Sequence, residues 1–299
     1  MAKNAASRTS LVLWAALFGI GLGWGSTQLF SKLIMQGGHH PLGVSLTGTV
    51  LGAICATAML VATGRSLPIT RRHLVFFALV GFMGTALPHT LGYAAVRELP
   101  VGVMSILISM VPISTFCASL VLGMERPDGL RLLGLCAGAG AVLLIVLPET
   151  SLPDPEKAVW VALPIIVSLS YTAESLYVAR ARPDGCDALQ TMCGLFWAAC
   201  LLQLPVVIAS DTWMTLGAFD ISELSLLATT LCHVGAYTGF VWLIGRAGPV
   251  FAAQVGYVVT LVGVVLGIAF LGETHSPWIW LAMVVMMIGL ALVQPREPE

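Results

Sequence analysis

The sequence predicts an all-α integral membrane protein of ten spanning helices, and three observations carry that prediction. The first is composition. Of 299 residues, 58% are hydrophobic, only 10% are Asp, Glu, Lys or Arg, and the mean hydropathy is +0.93. A soluble domain carries about 25% charged residues and needs polar surface to cover itself. The second is the length of the apolar runs. They approach the roughly 20 residues a helix needs to cross a bilayer, and lack the ten-residue alternation of an outer-membrane barrel. The third is the placement of cations. With the N-terminus in the cytoplasm, the inside segments hold eleven: Lys3, Arg8, Arg65, Arg71, Arg72, Arg126, Arg131, Arg180, Arg182, Arg246 and Arg296. The outside keeps three, Lys32, Arg97 and Lys157. This is the positive-inside bias, and an even number of crossings returns the C-terminus to the cytoplasm. A net charge of −1 leaves no basic field for nucleic acid.

Cutting the apolar runs at polar and turn-forming stretches gives the helices in order. The first, 11–36, follows Lys3 and Arg8. That start resembles a signal peptide, but the run is too long and no clear small-x-small site follows it, so it is taken as an uncleaved helix. The second, 41–63, opens at Pro41, and the third, 72–96, lies between Arg72 and Arg97. The fourth, 99–123, starts beside Pro100 and ends in LGME; the fifth, 128–147, stops before Pro148. The sixth, 156–181, ends at Arg180 and Arg182, and the seventh, 186–209, follows Pro183 and Gly185. The eighth, 221–246, ends at Arg246, the ninth, 248–272, starts at Gly248 and Pro249 and ends in LGE, and the tenth is 276–294. The longest connections, 148–157 and 210–222, are too short for a domain.

The chain repeats itself. Thr85, Leu87, His89 and Tyr93 in TALPHTLGY match Thr229, Leu231, His233 and Tyr237 in TTLCHVGAY, each pair 144 residues apart. Pro100 matches Pro249, Gly123 and Glu125 match Gly272 and Glu273, and Gly140 matches Gly289. The offset drifts from 144 to 149. Two units follow, 1–150 and 151–299, of five helices each. Five is odd, so the second enters the membrane from the opposite side, which makes an inverted repeat.

The string GWGSTQLFSK in the first helix resembles the opening motif of EamA-type proteins of the drug/metabolite transporter superfamily. The Pro-to-LGE pattern followed by a Gly-rich last helix in each half is similar to the two tandem units of that family. The resemblance covers nearly the whole chain. It implies the ten-helix drug/metabolite transporter fold with both termini inside, a substrate cavity between the halves, and transport of small metabolites. Amino-acid exporters are common in the family, and carriers of sugar phosphates, nucleotide sugars, amines and drugs occur. It supplies no catalytic motif and no role for the matched histidines.

Those roles follow from chemistry. A charged group within a membrane is expensive and is a functional candidate by default. Glu174, inside the sixth helix, is a candidate to carry a proton or pair with a substrate amine; the alternative is a protonated carboxyl bonded to a neighbouring helix. Gln28 is its partner by symmetry. Trp24 and Tyr171 lie near that level and offer an aromatic wall to a small zwitterion, although aromatic stripes in membranes more often pack. His89 and Tyr93 share a helix face at i, i+4, as do His233 and Tyr237. Histidine changes charge near neutral pH, so His89 and His233 follow Glu174 as proton-coupling candidates. Gln254 and Tyr257 share a face of the ninth helix and complete the expected substrate contacts.

Other features point to scaffold. Cys186, Cys193 and Cys200 recur every seven residues and read as small residues at a helix contact. The pairs Gly19/Gly23, Gly21/Gly25, Gly134/Gly138 and Gly263/Gly267 let helices approach closely. Pro88, Pro112, Pro164 and Pro205 fall within predicted helices and can kink them. No CxxC or Cys/His zinc spacing, phosphate loop, HExxH or nucleophile elbow is present, so no metal, cofactor or catalytic residue is expected. His39 and His40 alone do not make a metal site.

The expectation is therefore a secondary active transporter, not an enzyme, in a bacterial inner membrane. It exports amino acids or related small polar metabolites by alternating access, with protons as the simplest coupling ion, and acts as a monomer or homodimer. The competing readings are an importer, facilitator or exchanger of another metabolite, and an integral-membrane lipid enzyme.

Overall fold

A computed structural model describes residues 2–124, 128–146, 159–217, 219–274 and 277–292. The proposed boundary at 150 and the residues Glu125, Arg126, Lys157 and Arg296 lie outside the described residues. Twelve α-helices and no strand occur among those described. They are α1 (Ala2–Gln36), α2 (Pro41–Ala62), α3 (Arg71–Gly81), α4 (Leu87–Glu98), α5 (Val101–Ile108) and α6 (Met110–Val121). There follow α7 (Gly129–Val146), α8 (Ala162–Ala181), α9 (Ala188–Ser210), α10 (Ile221–Ala253), α11 (Val255–Leu271) and α12 (Pro277–Leu292).

Among the described residues seven helical stretches are long and apolar enough to cross a membrane: Leu11–Gln36, Pro41–Ala62, Arg71–Glu98, Val101–Val121, Val159–Ala181, Ala188–Ser210 and Ile221–Ala253. The other three stretches expected from the sequence fall on shorter described helices, α7, α11 and α12.

The helix starts follow from capping chemistry. Asp187 and Gln190 form a capping box on α9, and the Asp220 side chain accepts from the Ser222 and Glu223 amides at the start of α10. α11 stops at Gly272 with φ 65°, the left-handed ending that glycine allows.

Three local departures separate the structure from the expected helices. Between α3 and α4 the backbone forms a π-helical turn, Phe82–Ala86, where the Leu87 amide reaches back to the Phe82 carbonyl. Pro88 follows at once, and its missing N–H falls where the ladder is already reset. The expected fourth helix is broken at Ser109 into α5 and α6, and Pro112 sits in the first turn after that break. The expected eighth and ninth helices are divided by one residue, Gly248, at φ 82° and ψ 165°. Only glycine occupies that region readily. The next break comes at Gln254, so α10 carries the first residues of the expected ninth helix.

The packing places α1 along α10 and α11, α2 along α9, and α8 against α4 and α6, with α7 and α12 paired. Contacts at the helix ends fall into two groups. At one end Arg65 bridges Asp187 at 2.8 Å and Gln190 Nε2 donates to the Ser66 carbonyl. At the other, Lys32 Nζ donates to the Val96 and Leu99 carbonyls, and the Glu273 carboxylate accepts the Val101 and Gly102 amides.

Candidate functional site

The helices frame a partly open cavity, about 770 Å³ counting the space it opens onto. Its wall comes from α1 (Trp24, Thr27, Gln28), the π turn and α4 (Gly84, Thr85, His89), α8 (Tyr171, Glu174) and α10 (His233, Tyr237, Phe240). Ile108 and Val111 of α5 and α6, Phe196 of α9, and Val255, Gly256 and Val259 of α11 are among the apolar remainder. A mostly apolar lining with a few convergent polar groups is the usual form of a ligand site.

Glu174 is 3% exposed and accepts a hydrogen bond from the Tyr237 hydroxyl at Oε1. The π turn makes room for it. A Cβ on Gly84 would collide with the Glu174 carboxyl group, so a side chain there would displace the acid. One turn earlier on α8, the Ser170 hydroxyl donates to the Met83 carbonyl within the same π turn at 2.7 Å. The sequence reaches this arrangement through Pro88, which favours a reset ladder, and Gly84, which lacks a side chain. Neither residue signals the acid's position by spacing.

His89 and His233 meet. Their rings stack with centroids 4.6 Å apart and planes 30° from parallel, so the two matched histidines form one pair across the cavity. The pair also borders two smaller chambers. One, of about 430 Å³, includes Ser31, Tyr93 and Met104; the other, of about 250 Å³, includes Ser45, Tyr93, Thr229 and Thr230. Trp24 packs edge-on against Phe240 with centroids 5.1 Å apart, and its Nε1 is buried without a protein partner.

Of the ten substrate contacts expected from sequence, Trp24, Gln28, His89, Tyr171, Glu174, His233 and Tyr237 line the main cavity, and Tyr93 lines both smaller chambers. Gln254 and Tyr257 are not brought to any of these walls. Both are fully buried in helix packing. Gln254 Nε2 donates back to the Val250 carbonyl, and the Tyr257 hydroxyl lies against Gly138 of α7. Gln254 stands at the break between α10 and α11, and Tyr257 turns toward α7. Gly84, Ser170, Phe196 and Phe240 were not anticipated. Phe240 follows Tyr237 by three residues, and that spacing could have placed it on the same face. Among the described residues no group of three or more His, Cys, Asp or Glu could hold a metal ion.

Comparison with known proteins agrees with this architecture. Residues 10–147 match the EamA-like transporter family. The chain is 26% identical over 294 residues to the "uncharacterized inner membrane transporter YedA" of Escherichia coli strain K12, covering 96% of this chain and 92% of that protein. The counterparts in strains CFT073 and O157:H7 match to the same extent. A solved crystal structure superposes with a TM-score of 0.68 over 96% of both chains at 19% identity, which is a likeness of fold. Residues 10–147 therefore match an EamA-like transporter domain, and the chain over most of its length is similar to a bacterial inner membrane transporter.

Proposed function

We propose that the protein is a secondary active transporter that exports amino acids or related small amines across a bacterial inner membrane, with a proton carried by Glu174. The observation that carries this reading is the buried Glu174 carboxyl, held by Tyr237 on the wall of a cavity that His89 and His233 also face. A carboxyl taken out of water is costly to ionise unless a cation or proton accompanies it. A substrate amine and a proton can therefore compete for one acid, which is the simplest way to couple their movements.

The lining supports the substrate class. Glu174 is the acidic side chain among the described cavity residues, and no Lys or Arg joins it. A sugar phosphate or nucleotide sugar would meet a carboxylate and no cation. An ammonium group would meet Glu174 and the faces of Trp24, Tyr171 and Phe240. The unpartnered Trp24 Nε1 and the Gln28 amide could serve a substrate carboxylate.

The proposal takes the chain as ten crossings in two inverted units, 1–150 and 151–299, with both termini cytoplasmic. Two observations support it. The end contacts group Arg65, Ser66, Asp187 and Gln190 together, and Lys32, Val96, Val101 and Glu273 together, as the charge placement requires. Ile108 and Val111 face the cavity, as do Gly256 and Val259, 148 residues on and within the drift of the repeat. The inner-membrane location rests on the cation bias and on the similarity to YedA.

The test is uptake of amino acids and amines into proteoliposomes with and without an imposed pH gradient. Accumulation that requires the gradient supports the reading. Downhill flux only, unaffected by the gradient, would replace it with a facilitator.

A further inference from the structure

The connection between α9 and α10 is short, yet it does not hide its apolar side chains. Trp213, Leu216, Phe219 and Ile221 are all exposed, Phe219 to 83%. Exposed apolar patches with a polar rim mark places where a protein meets a membrane or a partner. Two features of this patch favour lipid. Along the chain it continues into both flanking helices, where Val206 and Ile208 of α9 and Leu224 and Leu227 of α10 are exposed too. Those helices are among the stretches long and apolar enough to cross a bilayer, so the connection stands where such spans leave it.

The second feature is how the backbone is held. The Glu223 carboxylate accepts the Gly217 and Phe219 amides at 2.5 and 2.6 Å, and the Thr212 amide donates to the Val207 carbonyl. Donors bonded by the flanking helices in this way do not depend on water, which is scarce where lipid tails begin. Phe219 has φ 46°, a left-handed conformation that costs an aromatic residue free energy. The Glu223 clasp therefore holds a strained residue whose ring reaches nothing beneath it. From below the segment is fixed as well. Met214 is buried in a cluster with Ile34, Met35, Val44, Val96 and Leu226, and a Cβ on Gly43 would collide with the Thr212 carbonyl.

We propose that the α9–α10 connection is an interfacial anchor: Trp213, Leu216, Phe219 and Ile221 insert into the headgroup–acyl boundary of the leaflet at this end of the molecule. Tryptophan is enriched at that level because one ring meets both apolar and polar surroundings. Asp211 and Asp220 bound the segment and keep the insertion shallow, since a charged group stays on the wet side of the boundary. From Ser210 to Glu223 the sequence has three carboxylates and no Lys or Arg. Insertion is thus driven by apolar area and not by attraction to anionic headgroups. The anchor does not depend on the transport reading, because it concerns lipid and no cargo.

Fluorescence quenching of the full chain in phosphatidylcholine bilayers tests it. Trp213→Phe removes one of eight tryptophans, and the emission lost is that of Trp213. The probes are phosphatidylcholine brominated near the glycerol end of the chain, the same lipid brominated near the methyl end, and aqueous acrylamide. Trp213 emission should be lost most to the shallow bromine, less to the deep one and least to acrylamide. Phe219→Trp adds a ring at the most exposed position, and its added emission should follow the same order. Quenching by acrylamide without quenching by lipid would put the connection in water and overturn the proposal. Protection from all three probes would mean that protein covers the patch, a second copy or another chain, and would overturn it too. Deep quenching above shallow would place the rings in the acyl core, against an interfacial anchor. Should Trp213→Phe not fold, Phe219→Trp decides by the same three outcomes.

Discussion

Glu273 holds Val101. Its Oε1 accepts the Val101 amide at 2.8 Å, while Oε2 accepts the Gly102 amide at 3.0 Å. A carboxylate just past the end of α11 thereby satisfies two of the free N–H groups that open α5, where the helix dipole also favours negative charge. Glu273→Ala should lower stability by about 1–3 kcal/mol, with Glu273→Gln losing less. Chemical denaturation of the detergent-solubilised protein measures this. An unchanged midpoint for Glu273→Ala would show that the cap contributes nothing.

Glu174→Gln keeps the shape of the side chain and removes its titratable proton. We expect loss of gradient-driven accumulation with substrate-for-substrate exchange retained. Concentrative uptake at wild-type level, with unchanged pH dependence, would take Glu174 out of the coupling step. Loss of all binding would instead mark it as a direct contact for the substrate amine.

Gly84→Ala should reproduce much of that defect without touching the acid. Its new methyl would occupy the space of the Glu174 carboxyl group. Gly19, where a Cβ meets nothing within 4 Å, is the control. A drop in transport of about tenfold or more for Gly84→Ala, against none for Gly19→Ala, is the expected contrast. Equal activity of the two variants would show that the acid tolerates displacement.

Replacing His89 or His233 with Gln retains hydrogen bonding and removes a titratable ring. Initial transport rates against pH should give shifted profiles for each single variant and a larger shift for the double. Four profiles that superimpose after scaling would leave the stack a packing contact.

Topology is tested by reporter fusions after Lys157 and after Arg182. The former should read outside and the latter inside. The same side for both would remove the sixth crossing and with it the inverted repeat.

Much of this architecture was legible in the sequence because a bilayer imposes one strong rule on length and another on cation placement. The repeat matched His89 with His233, but it did not say that their rings would stack. What stayed hidden was rotation of helices about their axes. In water an apolar stripe announces the buried face, but a membrane helix is apolar toward lipid and protein alike. Spacing could therefore put Gln254 and Tyr257 on one face without saying that Tyr257 meets α7 and that Gln254 bonds its own helix, not the cavity. The π turn at 82–86 was hidden for another reason. Pro88 advertises a disturbance, but its form depends on Ser170 and Glu174, which arrive from α8. Gln203 of α9 gave no signal, since a single amide in an apolar run shows its partners, here Ser45 Oγ and the Ala86 carbonyl, only after packing.

The histidine stack has one more consequence. Each ring is fixed to a different helix, α4 or α10, and the two are linked by contact and not by covalent chain over a short path. Sliding or tilting of one helix against the other must change the overlap of the imidazoles. The pair is a ruler built into the protein at its centre, graduated from 4.6 Å upward. Any probe that reads the gap, whether a spectroscopic signature of the rings or a cross-link spanning their positions, reads the position of α4 against α10 without reference to any cargo.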